Sequence, residues 1–420
     1  MGEKIYGLLG RKLGHSWSAP IHRALGCERY RLIELEPEDL EAFLRREDIG
    51  GLNVTIPYKR DVMPCCDVID PAAAAIGSVN TLVRREDGKL YGYNTDICGL
   101  LYTARRAGIT FAGKEVVVLG SGGASLTAQA AARQEGARAV TVISRSGSDS
   151  YGDLHRHAGA EVIVNTTPVG MWPELAGQIL DLRLFPHVES VVDVIYNPTR
   201  TNLLLQAAEL AKTGPRPIRH AGGLPMLVAQ AVAAEERFFD RSIPDSETER
   251  ILAGLWQSQT NIVLVGMPGC GKTTVGRALE RLSGRSLVDL DGEIVRRAGR
   301  SVPEIFAAEG EGGFRALEQR VLAEIAAGSG QIIATGGGAV LRQENRAAMR
   351  RTGRVYFLRR ALEDLPTAGR PLSQAGSLEE MYRVRLPLYT AVSDTSVWNG
   401  TTAEAAAAEI WRDFCARSGD

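Results

Sequence analysis

One hydrophobic pattern recurs along this chain: a short apolar run, a glycine-rich turn, then a stretch rich in Ala and Leu with helical spacing. It is clearest at 116–119, followed by Gly120, Gly122 and Gly123 and then 126–133. It returns at 262–265, followed by Gly266, Gly269 and Gly271 and then 273–282. Further apolar runs at 140–143, 162–165 and 191–195 predict more strands alternating with helices. The pattern predicts open α/β sheets, and a strand–glycine turn–helix start is where such sheets hold nucleotides. Two starts in one chain predict two nucleotide sites.

Between the two starts lies a polar stretch, 240–259, with Pro244, Asp245, Ser246 and Glu247. Its second half, 247–256, carries Ile251, Leu252 and Leu255 on one face and predicts a helix, the last of the first unit, followed by a short linker. The boundary falls near Gln257. The first unit divides again. Residues 1–98 mix strands and helices and carry most polar motifs, 99–221 read as alternating strands and helices, and 222–256 are helical. Residues 257–420 form the second unit.

Composition adds limits. The 420 residues are 44% hydrophobic and 24% charged with a net charge of −1, as in a soluble globular protein with room for several cores. That balance argues against a general nucleic-acid binder. Cys27, Cys65, Cys66, Cys98, Cys270 and Cys415 form no CxxC pair and no zinc spacing, which predicts reduced thiols in a cytoplasm. No apolar run reaches membrane-spanning length, and no lipidation signal follows Gly2. Homo-oligomerisation is left open.

In the first start, Gly120, Gly122, Gly123 and Ala124 let backbone approach a pyrophosphate, and the helix N-terminus supplies N–H groups. The next strand ends in Ser144-Arg145-Ser146. A carboxylate here would bind a free ribose 2′-OH, whereas an arginine fits a 2′-phosphate. Polar clusters surround this start: Ser16-Trp-Ser18 after His15, Asn53-Val-Thr55 with Lys59, 76–81 with Asn80, 92–96 ending in Asp96, 165–171, and 222–230 ending in Gln230. Together they resemble shikimate dehydrogenase over essentially residues 4–256. The resemblance implies NADPH-dependent reduction of 3-dehydroshikimate to shikimate. It makes 1–98 with 222–256 a substrate-binding domain and 99–221 a Rossmann-like NADP(H) domain. It also implies that Ser16, Ser18, Asn53, Thr55, Asn80 and Gln230 bind the substrate's hydroxyls and carboxylate, with Lys59 and Asp96 as the catalytic pair. Hydride addition to a ketone builds negative charge on oxygen, which a positioned ammonium can stabilise and protonate. The chain departs from the family in three places. Proline is shifted to Pro20, Arg23 follows His22, and Ser148 and Asp149 stand where a second basic residue is usual. One cation is then left for the 2′-phosphate.

The second start, 266–273, is a complete Walker A loop. Backbone N–H groups of Gly269, Cys270, Gly271, Lys272, Thr273 and Thr274 cradle ATP phosphates. The Lys272 ammonium reaches the β and γ phosphates, and the Thr273 hydroxyl sits on Mg²⁺. Asp289 and Asp291, two apart, are expected on one face of a strand end, one for Mg²⁺ and one for a substrate hydroxyl. Arg315 and Glu318, three apart on a helix, can pair. Gly336, Gly337 and Gly338 follow an apolar strand at 331–334, and Arg370 and Arg385 come later. This set resembles shikimate kinase across about residues 260–415. By resemblance Asp291, Arg315, Gly337, Gly338 and Arg385 bind shikimate, Asp289 supports the metal, and Arg370 reaches over the phosphates from a lid. The lid segment is short, with Pro366 and Gly369, and 398–402 lacks the arginine that often stacks on adenine. Both resemblances point to one metabolite. Two alternatives remain: a quinate or polyol dehydrogenase joined to a kinase for another small acid, and a P-loop unit that only senses ATP.

Overall fold

The computed structural model describes residues 4–14, 16–214, 216–365 and 378–417. The chain separates into two units: Met1–Met171, Gly177–Tyr196 and Gln206–Leu252 form one, and Trp172–Ala176, Asn197–Leu205 and Ala253–Asp420 the other.

The first unit holds two sheets. Ile5–Gly10 (β1), Arg31–Glu34 (β2), Ile49–Val54 (β3), Val68–Ile69 (β4), Thr81–Arg84 (β5) and Leu90–Tyr93 (β6) make a mixed sheet in the order β2-β1-β3-β5-β6-β4. Its helices are Ser18–Ala24 (α1), Leu40–Leu44 (α2) and Pro71–Ile76 (α3). The second sheet is wholly parallel, in the order β11-β10-β9-β7-β8: Glu115–Leu119 (β7), Ala139–Ile143 (β8), Val162–Asn165 (β9), Ser190–Asp193 (β10) and Arg219–Ala221 (β11). Asp96–Arg106 (α4) precedes it, and Gly123–Gln134 (α5), Asn202–Thr213 (α6), Leu224–Phe239 (α7) and Asp245–Gln259 (α8) follow in turn. Helices cover both faces of such a sheet, which is why interior β7 is the continuous apolar run Val116–Leu119, buried throughout. Helix α7 packs on α4, α1, β3 and β5, so the chain returns to the first sheet as the motif order implied.

The expected linker is a continuous helix instead. Helix α8 runs to Gln259, and Thr260 alone precedes the next strand. The polar residues of 245–259 are one face of this helix, since Ile251, Leu252 and Trp256 are buried on the other, and the Trp256 ring packs 4.9 Å from that of Phe414.

The second unit is a parallel sheet of Asn261–Val265 (β12), Leu287–Asp289 (β13), Ile332–Ala334 (β14), Gly353–Arg359 (β15) and Thr395–Trp398 (β16), ordered β13-β14-β12-β15-β16. Its helices are Lys272–Ser283 (α9), Leu290–Ala298 (α10), Val302–Ala326 (α11), Gln343–Thr352 (α12), Leu378–Val392 (α13) and Ala403–Ala416 (α14). Every residue of central β12 is buried. Among the described residues, no helix is long and apolar enough to cross a membrane.

Candidate active sites

In the first unit a polar network joins β3, β5 and the start of α4. Lys59 lies in the turn after β3, and Asp96 is the first residue of α4. The Lys59 Nζ donates to Asp96 Oδ2 at 2.5 Å. Asn80 Nδ2 donates to Asp96 Oδ1 at 2.8 Å, so both carboxylate oxygens are engaged. Asn80 Oδ1 in turn accepts from the Thr95 N–H at 2.7 Å and from Thr81 Oγ1 at 3.1 Å. Asn53 on β3 joins through Nδ2 to Thr81 Oγ1 at 3.4 Å. The Lys59 and Asp96 side chains are 19% and 11% exposed, open to a ligand yet held in place. Gln230, in the second turn of α7, packs at Gly99, one turn beyond Asp96 on α4. Thr55 follows directly on β3, and its N–H donates to Leu9 O at 2.9 Å. Ser16 and Ser18 place their hydroxyls 3.2 Å apart at the start of α1, which packs on α7.

The glycine turn meets this network. Gly120 leaves β7 with φ 104°, Gly122 caps α5, and Ala124 lies in its first turn. A Cβ at Gly123 would stand 3.6 Å from Lys59 Cδ, so the turn and the lysine adjoin. After β8, Ser144 is buried with an Oγ that finds no hydrogen-bond partner among the described residues, and its N–H donates to Asp149 O at 3.1 Å. That bond closes a loop that leaves Arg145 and Ser146 exposed. Asp149 pairs with His157 Nε2 at 2.9 Å. Tyr30 and Tyr196 carry no signal in the motifs above, yet the Tyr30 hydroxyl donates to Asn53 Oδ1 at 2.7 Å, and the Tyr196 ring lies 5.0 Å from Trp17, between the two serines.

In the second unit the phosphate loop is folded on itself. Lys272 Nζ donates to Gly266 O at 2.9 Å and Met267 O at 3.0 Å. Gly269 and Gly271 both have positive φ, and Gly271 opens α9 at φ 96°, where a Cβ would press on Asn399 Nδ2 at 2.6 Å. Asn399 itself donates to Cys270 O at 2.8 Å. Thr273 Oγ1 donates to Asp289 Oδ2 at 2.6 Å, and Thr274 follows within α9.

The expectation that Asp289 and Asp291 share a strand face is corrected. Strand β13 ends at Asp289, whose Oδ1 accepts from the Gly292 N–H at 3.0 Å and caps α10, so Asp291 lies in the first helical turn. An Asp that caps a helix stops the strand, and the two-residue period ends with it. Asp291 still arrives with its expected companions. A Cβ on Gly336 would stand 2.8 Å from Asp291 Oδ1 and 3.1 Å from Glu318 Oε1, and one on Gly338 would collide with the Arg315 guanidinium. Arg315 and Glu318 form a buried pair at 2.9 Å. The Gly337 carbonyl accepts from the Tyr389 hydroxyl at 2.5 Å, one helical turn from buried Arg385. Burial raises the Glu318 carboxyl above the ordinary range; Arg315 opposes this, Asp291 adds to it, and Arg385 opposes it. Arg370 lies outside the described residues.

Comparison with known proteins agrees with this division. Residues 268–415 match the family model for shikimate kinase, and residues 8–82 that for the shikimate dehydrogenase substrate binding domain. The shikimate dehydrogenase (NADP(+)) of Clostridium beijerinckii is 35% identical over 253 residues, 56% of this chain and 91% of that protein. A chorismate mutase/shikimate 5-dehydrogenase fusion protein from Clostridium acetobutylicum has a crystal structure with a TM-score of 0.56 and 34% identity, covering 61% of this chain and 98% of that one. The structure of shikimate 5-dehydrogenase from Thermus thermophilus in complex with NADP(H) and shikimate gives a TM-score of 0.51 and 30% identity, over 59% of this chain and 97% of that one. The chain belongs to the shikimate dehydrogenase family through its N-terminal part and carries, fused behind it, a shikimate-kinase-like domain.

Proposed function

We propose that the first unit reduces 3-dehydroshikimate to shikimate with NADPH, and that the second moves the γ-phosphoryl group of ATP onto shikimate to give shikimate 3-phosphate. The observation that carries the reduction is the place of Lys59, bonded to Asp96 and adjoining the glycine turn at Gly123. Gly120, Gly122, Gly123 and Ala124 fit a pyrophosphate, and Ser144, Arg145 and Ser146 the adenosine ribose with its 2′-phosphate. NADPH bound there supplies the hydride. The Lys59 ammonium then meets the charge growing on the carbonyl oxygen and gives it a proton. Asp96 aims the ammonium, and Asn80 aims Asp96. Ser16, Ser18, Asn53, Thr55, Asn80 and Gln230 hold the substrate's hydroxyls and carboxylate.

For the kinase, the amides of 269–274 hold the phosphates, and Lys272 exchanges its two carbonyl partners for phosphate oxygens. Thr273 and Asp289, already bonded, fit Mg²⁺, which would supply neutralisation of phosphate charge. Asp291 accepts the attacking hydroxyl's proton or orients that hydroxyl, while Arg315, Gly337, Gly338 and Arg385 hold shikimate. Arg370 neutralises charge on the transferred group. The test feeds the full chain 3-dehydroshikimate, NADPH and Mg-ATP, with shikimate 3-phosphate as the expected product. Equal turnover of quinate, or no shikimate-dependent ADP release, would overturn the corresponding half.

A further inference from the structure

Behind the reductase site lies a group that the chemistry above leaves unused. His22 and Glu235 are both at zero exposure, and His22 Nδ1 meets Glu235 Oε1 at 2.6 Å. Arg241 backs Glu235 at 3.4 Å. Burial lowers the His22 pKa, against the opposing pull of Glu235 and Asn53, so the neutral ring donates its Nδ1 proton to the carboxylate. The ring lies flat on Tyr30, with centroids 3.8 Å apart and planes within 4°. Tyr30 is 2% exposed, and its hydroxyl donates to Asn53 Oδ1 at 2.7 Å. Its phenol stays protonated because burial holds it well above the ordinary tyrosine range. A buried ionisable pair is expensive to retain unless something else depends on it.

The two ends of an asparagine side chain are alike in shape and opposite in chemistry, one accepting and one donating. Unless a neighbour fixes the amide, it can turn either end to a ligand. Tyr30 takes Oδ1, and Thr81 Oγ1, whose own proton goes to Asn80 Oδ1 at 3.1 Å, accepts from Nδ2 at 3.4 Å, a long contact that uses at most one of its two protons. We propose that Tyr30, held flat by the His22–Glu235 pair, is a positioning residue that fixes the Asn53 amide so that it presents N–H, and not C=O, to an oxygen of the substrate. This rests on the assignment of Asn53 to the substrate site.

The test is reductase kinetics on the full chain. Asn53→Ala sets the reference, raising KM for 3-dehydroshikimate about tenfold. Tyr30→Phe should raise the same KM several-fold, with kcat held within about twofold and KM for NADPH unchanged. In the Asn53→Ala background Tyr30→Phe should add nothing, because its path to the substrate is gone. Asn53→Asp keeps the bond to Tyr30 but replaces the donor by an acceptor, so it should raise KM at least as much as Asn53→Ala. Additive effects of Tyr30→Phe and Asn53→Ala, or substrate binding by Asn53→Asp equal to that of the unmutated chain, overturn the inference and leave the reductase reading standing. An unchanged KM in Asn53→Ala overturns the inference together with the assignment of Asn53 to the substrate site. A rise in KM for both substrates in Tyr30→Phe marks general damage and overturns the positioning role.

Discussion

The two lysines at the centre of the two units are held in opposite ways. Lys59 already bonds the carboxylate that aims it, and that carboxylate is itself held by Asn80. Lys272 is turned back on Gly266 and Met267 of its own loop. A proton donor must stand within tenths of an ångström of its target before the substrate arrives, so the fold supplies its partner. A phosphate brings its own charge. It can displace two neutral carbonyls because a phosphate oxygen adds a full negative charge to the hydrogen bond that the Lys272 ammonium already makes. On the proposed reading, the reductase site is organised by the protein, and the phosphate loop by its ligand.

The largest effects should come from cutting at those lysines. Lys59→Met should lower reductase kcat by roughly 10²–10⁴-fold and leave kinase turnover intact, and Lys272→Met should do the converse. Parallel assays of NADPH oxidation and ADP release read both. Loss of both activities in either folded variant would end the comparison.

Crowding the proposed shikimate pocket of the second unit comes next. Gly338→Ala drives a methyl into the Arg315 guanidinium, so KM for shikimate should rise by about tenfold or more while KM for ATP holds. An unchanged KM for shikimate would remove Arg315 from the binding set. In the reductase, Arg145→Ala should cost about tenfold in kcat/KM for NADPH and little for NADH, the loss shrinking in high salt. Equal efficiency of the two cofactors in the unmutated chain would sink the 2′-phosphate assignment.

The smallest effect is a slope. Burial raises the Glu318 pKa above its unfolded value, so the folded form binds the proton where the unfolded form has released it. Stability is then highest on the acid side and falls as pH rises from the ordinary glutamate range through the raised value. Glu318→Gln removes that slope, so its melting temperature relative to the unmutated chain should climb with pH across this window. Parallel melting curves would show that Arg315 and Arg385 cancel the burial.

Much of the layout was legible because it is local. A strand, a glycine turn and a helix lie within about twenty residues, so periodicity and the need for backbone amides reveal both nucleotide starts. The Arg315–Glu318 pair was legible for the same reason, as neighbours on one helix. Asp291 was misplaced because the two-residue period holds only while a strand continues, and the Asp289 cap ends it. The helix within 240–259 was legible from Ile251, Leu252 and Leu255 on one face, but the short linker expected after it is instead its last turn, since α8 runs on to Gln259 with Trp256 buried.

By itself the sequence determined the two α/β units, the family resemblance of each, and which side chains carry charge to a ligand, since these depend on residue type and short spacing. Only the tertiary structure decided who holds them: His22 meets Glu235 across 213 positions, and Tyr30 reaches Asn53 from a neighbouring segment. Such partners are chosen by which faces become buried together, and a buried polar atom must find its bond wherever the fold brings one.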